Sequence, residues 1–194
     1  MSGKLRYSRA DALAVARELC GEIELFCVPG FLKVCGSLRR RKESVGDVEL
    51  VYIPEIEMVA DTNDLFGSPG TAHEVNQVDA LLEQLIQHGV LEKRLNKLGR
   101  VSWGAENKLA RHCATGIPVD LFATSRPAWW SYVVCRTGSA ESNTRIAAEA
   151  LRKGWHWHPT AGYFSDVLRR KHWIKSEQDA FHLVGLPYLE PHQR

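Results

Sequence analysis

The sequence lacks the features that would place the protein in a membrane or outside the cell. No apolar run approaches the roughly 18 residues that a membrane-spanning helix needs, and the segment MSGKLRYSRADALAVARE has no apolar core of a signal peptide. The five cysteines show no C-x-x-C spacing, and their odd number does not suit a disulfide framework. We therefore expect reduced cysteines, no membrane segment and an intracellular protein of the cytoplasm or nucleoid.

A strong excess of charge of one sign is also absent, since the formal net charge of the 194 residues is only +2. So small an excess does not by itself predict binding to nucleic acid, which would have to depend on local clusters. Three basic clusters are present, at residues 39–42, 152–153 and 169–171. The composition, 44% hydrophobic and 25% charged, is that of a globular protein with one large domain or two small ones.

The most informative stretch is residues 34–53, which read VCGSLRRRKESVGDVELVYI. Side chains at i and i+2 of a strand leave the same face, so Asp47 and Glu49 are expected side by side. Such a pair is costly unless a proton or a hard divalent cation neutralises it. Gly36-Ser37 and the arginines that follow offer donors for phosphate oxygens. Acids for a metal beside donors for phosphate indicate nucleotidyl transfer, whereas either feature alone also fits a solvated strand face or a basic surface loop.

A third acid, Asp120, interrupts the apolar strand predicted at residues 117–122. A buried, unpaired Asp costs several kcal/mol or becomes neutral. The most economical role for Asp120 is therefore to join Asp47 and Glu49 around the same cation. A hydrogen-bonded core Asp is the alternative.

The order of the predicted elements favours an α+β fold, a mixed sheet with packed helices followed by a small α+β subdomain. Helices are predicted from Ser8 to Gly21, over residues 78–88 before Gly89, from Ser142 or Asn143 to Gly154, and after Ser176. Strands are predicted at residues 31–35, 48–53, 90–98, 101–103 and 117–122, with a hairpin at residues 155–164. The polar segment from Glu55 to Val75 is predicted to be a loop.

The run GSLRRRKESVGDVELV resembles the catalytic-motif segment of the DNA polymerase X family, the repair polymerases typified by DNA polymerase beta. In that family G-S-x-R-R precedes G-D-x-D on a strand, and a third Asp follows on a later strand. The matching residues are Gly36, Ser37, Arg39, Arg40, Gly46 and Asp47. Glu49 stands where the family has its second Asp.

The end of the chain resembles the same family. The order T-G-S, then Asn143 four residues after the Ser, then an Ala-rich helix is similar to the segment that covers the incoming nucleotide. The closing run SEQDAFHLVGLPYLEP is similar to the family's C-terminal ending. The lyase domain and helix-hairpin-helix modules of larger members have no counterpart here, so we expect a minimal form, as in viral members, and a viral or phage origin fits it.

The resemblance implies a nucleotidyltransferase palm at residues 1–126 and a nucleotide-covering thumb at residues 127–194. It implies a DNA-directed DNA polymerase in DNA repair, which adds a dNTP to the primer 3′-OH of primer–template or gapped DNA. The implied catalytic and metal-binding residues are Asp47, Glu49 and Asp120, with two Mg²⁺ ions, or Mn²⁺ in their place, and Asp120 on the ion that activates the primer hydroxyl. The implied nucleotide-binding residues are Gly36, Ser37, Arg40, Gly138 and Asn143. We expect a monomer.

Two other functions remain open from the sequence. A nucleotidyltransferase that modifies a small molecule, an RNA end or a protein is favoured by Glu49, by the modest net charge and by the missing DNA-gripping modules. A non-catalytic nucleic-acid or nucleotide-binding module is disfavoured, because all three acids are present.

Overall fold

The protein is built on a five-stranded mixed sheet in the first part of the chain and a three-stranded antiparallel sheet in the last part. The computed structural model describes residues 5–60 and 72–194. The helices are α1 (Arg9–Ile23), α2 (Gly36–Arg39), α3 (Gln77–Gln87), α4 (Trp129–Thr137), α5 (Ala140–Arg152) and α6 (Glu177–His182). The strands are β1 (Tyr7–Ser8), β2 (Cys27–Val34), β3 (Ser44–Val45), β4 (Val48–Pro54), β5 (Ile56–Ala60), β6 (Ala72–Asn76), β7 (Leu91–Lys93), β8 (Asn107–His112), β9 (Pro118–Ala123), β10 (His156–His158), β11 (Tyr163–Ser165) and β12 (Lys171–Trp173).

The strand order of the large sheet is β2-β4-β9-β8-β7. Strands β4 and β9 pair in parallel, and the other three pairings are antiparallel. The small sheet has the order β10-β11-β12, and β1 with β3 and β5 with β6 form two-stranded ribbons. This mixed arrangement of strands and helices agrees with the predicted α+β class, while the division at residue 126 stays a prediction.

One face of the large sheet is covered by α1 and α3. Alternate residues of β4 and β9, among them Leu50 and Leu121, are fully buried against Leu19 of α1 and Leu82 of α3. Because the alternation has period two, the intervening residues Glu49 and Asp120 leave the opposite face. The apolar pattern that forms the core thus also determines the face on which the acids lie.

Helix α4 covers part of the sheet face that carries Glu49 and Asp120, at the C-terminal ends of β4 and β9. Val51 of β4 and Phe122 of β9 pack there against Trp129, Tyr132 and Val133 of α4. Glu49 and Asp120 come two residues before these apolar positions on the same strands. Helix α4 therefore closes the sheet just beyond the acids and connects it to the C-terminal part of the chain.

The predicted starts of α1 and α6 are confirmed by their caps. The side chains of Ser8 and Ser176 accept hydrogen bonds from backbone N–H groups three residues later, at 3.1 and 3.0 Å. Helix α5 begins at Ala140, because Ser139 accepts from Ser142 N at 3.3 Å, so the prediction that Ser142 or Asn143 opens it was two residues late or more.

Three predictions about strands and loops differ from the structure. The segment predicted as a loop contains β5 and β6, which pair from Ile56↔Asn76 to Ala60↔Ala72, while residues 61–71 lie outside the described residues. The strand predicted at residues 90–98 is only β7, because Asn96 turns the chain by accepting from Leu98 N and Arg100 N. The strand predicted at residues 101–103 is reduced to single bridges, Leu95↔Val101 and Trp103↔Lys108.

Strand β8 and helix α4 are among the elements that the sequence reasoning missed. Strand β8 buries Lys108, Ala110 and His112, so its buried face lacks the apolar alternation that identifies a strand. Helix α4 is rich in aromatic and β-branched residues, which have low helix propensity, and its burial on several sides compensates for this. Among the helices of the described residues, none is long and apolar enough to cross a membrane.

Candidate active site

The parallel pairing of β4 and β9 brings the predicted acids together. The register places Glu49 directly opposite Asp120. Asp47 precedes β4 by one residue and alternates with buried Val48, so it lies toward the same face as Glu49. Three carboxylates that are remote or only neighbouring in sequence therefore share one end of one sheet face.

The electrostatic effect of this arrangement is largest at Glu49. Burial, and after it the nearby charges of Asp47 and Asp120, raise the pKa of Glu49 to about 7 against the lowering effect of Arg136 and Arg40. A carboxyl group with this pKa is ionised only in part at neutral pH. It becomes fully anionic when a positive charge arrives to compensate its neighbours.

Gly36 allows Glu49 to take this position. A Cβ atom at Gly36 would lie 1.8 Å from Glu49 Oε2, and the backbone φ of Gly36 is +64°. The first residue of α2 is thus in direct contact with the carboxylate. Glycine is required here for both the close approach and the backbone conformation.

Asp120 is held by the guanidinium of Arg94, a residue that the sequence reasoning did not identify. Arg94, which follows β7, forms an ion pair with Asp120 through Nη2, and its Nε donates to Ala110 O at 3.3 Å. One Asp120 oxygen is therefore oriented by Arg94 before any ligand binds. Arg94 could not be identified from the sequence, because its contact with Asp120 depends on the strand order of the sheet, in which β8 lies between β7 and β9.

The two consecutive arginines of the basic run have different partners. Arg39 forms two hydrogen bonds with Glu177 of α6, at 2.5 and 3.0 Å, and Glu177 also accepts from Arg194 at 3.0 Å. Arg40 instead faces the acids: burial lowers its pKa, and the charges of Glu49 and Asp47 act in the opposite direction. Arg40 is therefore the arginine available to a ligand at the acids, while Arg39 joins α2 to the C-terminal part.

The predicted nucleotide-binding residues of the C-terminal part lie next to Arg40. Its Nη1 donates to Thr137 O, and a Cβ atom at Gly138 would lie 3.0 Å from the same nitrogen. Asn143 donates through Nδ2 to Cys135 O at 2.7 Å. Ser37 is half-buried on α2, beside Gly36. The structure thus brings together Gly36, Ser37, Arg40 and Gly138, with Asn143 one turn farther along α5.

Several polar atoms at this junction have hydrogen-bonding capacity that other described atoms do not use. Arg40 Nε, Arg136 Nε and Asn143 Oδ1 are buried and have no hydrogen-bond partner within the described residues. The Arg136 guanidinium itself lies 3.6 Å from the Phe122 ring centroid and donates to Tyr132 Oη at 3.0 Å. Buried polar atoms in folded proteins usually have partners, so these three leave hydrogen-bonding capacity for a polar ligand between β4 and α5.

The donor set fits a hard divalent cation. Carboxylate oxygens are the preferred ligands of Mg²⁺, and the raised pKa of Glu49 reflects burial and the repulsion from Asp47 and Asp120, both of which a bound cation would offset. Within residues 5–60 and 72–194, however, no group of three or more His, Cys, Asp or Glu side chains is arranged to hold a metal as it stands. Binding would require the carboxylates to turn toward one another, which a cation favours.

Residues 132–194 match the family model described as the DNA polymerase beta thumb. The matched segment contains α5, α6 and the three-stranded sheet, and it includes Gly138 and Asn143. At the level of the family, the match supports a relation to DNA polymerase beta and a DNA polymerase-related, DNA-binding role. The carboxylates of β4 and β9 precede the matched residues.

Proposed function

We propose that the protein is a DNA-directed DNA polymerase of the nucleotidyltransferase type that acts in DNA repair. The observation that carries the proposal is the parallel register of β4 and β9, which places Glu49 opposite Asp120 on the face that begins at Asp47. In the reaction, a bond forms between the primer O3′ and the α-phosphorus of a deoxynucleoside triphosphate. The bond to pyrophosphate breaks, and the hydroxyl loses its proton.

Asp47, Glu49 and Asp120 would hold two Mg²⁺ ions, or Mn²⁺ in their place. Bound there, the ions would stabilise negative charge on the attacking and leaving oxygens. The protein contributes the orientation of the carboxylates: Gly36 permits the position of Glu49, and Arg94 orients Asp120. The partial neutrality of Glu49 limits repulsion among the acids before binding.

The residues around the acids suit a nucleoside triphosphate. Arg40, with Nε unsatisfied, would bind the β- and γ-phosphates together with the Ser37 hydroxyl. Gly138 has no side chain beside Arg40, so a sugar can approach the backbone closely. The unsatisfied Oδ1 of Asn143 would accept a hydrogen bond from the base.

Glu49 favours a second candidate, transfer of a nucleotide to an acceptor other than DNA. The family resembled by the sequence has an Asp at this position, and the longer Glu side chain extends as far as Gly36. The thumb match at residues 132–194 weighs against this candidate, because it relates that part of the chain to a DNA polymerase.

Primer extension tests the proposal. We expect the wild-type protein, with Mg²⁺ and dNTPs, to extend labelled primer–template and gapped DNA, and Asp47→Asn to be slower by at least about 10³-fold, since metal charge stabilisation is worth several kcal/mol. Asp11→Asn, at an acid in the first turn of α1, is the control and should extend at the wild-type rate. Wild-type extension by Asp47→Asn would refute the site. Absent extension, with nucleotide transfer to a non-DNA acceptor, would support the second candidate.

A further inference from the structure

The outer face of the three-stranded sheet carries an unusual set of side chains. The register pairs His158 with Tyr163 and Tyr163 with Trp173, so these three residues share a face. The opposite face packs against the core: Phe164 is fully buried, and Trp157 stacks on it at 6.2 Å. The outer face therefore is not needed for the core of this part of the chain.

Tyr163, Trp173 and Lys171 form a compact group on this face. The Tyr163 and Trp173 ring centroids are 5.2 Å apart, and Lys171 Nζ lies 4.8 Å from the first and 5.7 Å from the second. Trp173 nevertheless remains 42% exposed. Exposed apolar surface marks a binding site when it is contiguous and bordered by polar side chains, as the group of Tyr163, Trp173 and Lys171 is.

Trp173 also forms one wall of a cleft of about 440 Å³ at the start of α4, opposite Trp130. Arg126 and Lys175 border this cleft, and Lys33 Nζ lies 5.3 Å from the Trp130 ring centroid. Among the described residues that line the cleft, none carries a carboxylate. We call the continuous surface of Tyr163, Lys171, Trp173, Lys175, Trp130 and Arg126 the aromatic tract.

A second lysine of the protein that lies over a tryptophan ring has a carboxylate partner. Lys93 Nζ also lies over a tryptophan ring, 4.7 Å from the centroid of Trp103. There, however, Glu83 accepts from both Lys93 Nζ and Trp103 Nε1, at 2.9 and 2.6 Å. The pair at Trp103 is a closed structural contact, whereas the aromatic tract combines an exposed Trp173 and the half-buried rings of Tyr163 and Trp130 with positive charge.

We infer that the aromatic tract binds unpaired nucleotides of single-stranded DNA. The exposed Trp173 and the half-buried Tyr163 and Trp130 offer aromatic surface on which bases can stack, and the bordering lysines and arginine suit the phosphates between them. In a duplex the bases are already stacked on one another, so the rings would gain little from paired DNA. The inference deepens the proposed function and rests on it for the source of the strand, the unpaired part of the primer–template.

The tract is distinct from the acidic site. Arg126 follows the C-terminal end of β9, whereas Asp120 lies near its start, and the parallel strand β4 has the same direction. A DNA strand bound to the tract would thus be separated from the carboxylates by α4. It would anchor the substrate without occupying the position of the nucleotide.

Fluorescence anisotropy of the full chain tests the inference, with a labelled oligo(dT) of about 12 nucleotides and a blunt duplex of equal length, in EDTA and without nucleotide. We expect Trp173→Ala to weaken binding of the single strand by at least about five-fold, the lower limit for loss of one stacked base, and binding of the duplex by less than about two-fold. Trp173→Phe keeps a ring and should retain most of the affinity. Leu168→Ala, at an exposed leucine between β11 and β12, is the control and should bind as the wild type does.

Lys171→Ala and Lys93→Ala provide a second comparison, because each removes one positive charge beside an aromatic ring. We expect only Lys171→Ala to weaken oligo(dT) binding and to reduce its dependence on salt. Equal effects of the two lysine variants, equal losses for single strand and duplex in Trp173→Ala, or no binding of oligo(dT) by the wild type would each overturn the inference. Near- and far-ultraviolet circular dichroism establishes that the variants are folded.

The binding experiment is separate from catalysis. If primer extension fails but Trp173-dependent binding is observed, the binding role of the tract is supported and the polymerase proposal is refuted. If extension succeeds and binding is independent of Trp173, the reverse holds.

Discussion

Replacing Glu49 by Gln should stabilise the metal-free protein at high pH. Glu49 is half-buried beside Asp47 and Asp120, and its pKa rises from 4.5 to about 7. At 1.36 kcal/mol per pKa unit, ionised Glu49 costs the folded state up to about 3 kcal/mol above pH 7. Glutamine has nearly the same shape and no charge, so Glu49→Gln should recover up to that amount.

The pH dependence follows from the direction of the shift. Because the folded pKa is raised, the folded state binds the proton more tightly, and wild-type stability falls as the pH rises from about 4.5 to about 7. The difference between Glu49→Gln and wild type should therefore be largest at pH 8 and shrink toward zero near pH 4.5. Mg²⁺ at pH 8 should stabilise the wild type and have less effect on the variant.

Urea unfolding at pH 5 and pH 8, with and without Mg²⁺, measures these free energies. Glu177→Gln is the control with the opposite sign: burial alone would raise the pKa of Glu177, but Arg39 and Arg194 lower it below its ordinary value. That variant should be destabilised at pH 8, and its deficit should decrease as the pH falls. If Glu49→Gln is equally or less stable than wild type at pH 8, ionised Glu49 does not destabilise the folded state.

Three other substitutions test the residues that surround the acids. Gly36→Ala should lower Tm and abolish primer extension, because its methyl group would lie 1.8 Å from Glu49 Oε2 at a backbone φ of +64°. Arg40→Ala should raise KM for the nucleotide by about ten- to 100-fold, the equivalent of 1.5–3 kcal/mol for a charged hydrogen bond, with a smaller change in DNA affinity. Arg94→Gln should lower the Mg²⁺ concentration needed for half-maximal extension, because a competing cation leaves Asp120, and should also lower kcat, because Asp120 loses its orientation.

Each of these substitutions has a matched control. Gly21→Ala adds a methyl group where nothing lies within 4 Å, so Tm should be unchanged or higher. Arg41→Ala removes an exposed arginine next to Arg40, and Arg111→Gln removes the exposed partner of Glu92. Equal KM in Arg40→Ala and Arg41→Ala would contradict the phosphate role. An unchanged Mg²⁺ requirement in Arg94→Gln would show that Arg94 does not compete for Asp120.

The local pattern of the sequence was sufficient to predict most helices, several strands and the face of the acids. Alternation of Asp47 and Glu49 with valine and leucine predicts one strand face, because side-chain direction depends only on neighbouring residues. The caps at Ser8 and Ser176 were likewise predictable, since each bond spans three residues. The C-terminal resemblance is supported by the thumb match at residues 132–194.

Tertiary contacts decided what the local pattern could not. Three features of the site depend on residues that are remote in sequence. Glu49 lies opposite Asp120, Arg94 forms an ion pair with Asp120, and Arg39 binds Glu177 while the adjacent Arg40 does not. Strand β8 could not be recognised from the sequence because its buried residues are Lys108, Ala110 and His112. Lys108 is acceptable in the core because its Nζ forms an ion pair with Asp79 at 2.8 Å and donates to Gly104 O at 2.8 Å. Periodicity reports which residues avoid water, whereas the compensation of a buried charge depends on whichever partner the folded chain brings within hydrogen-bond distance.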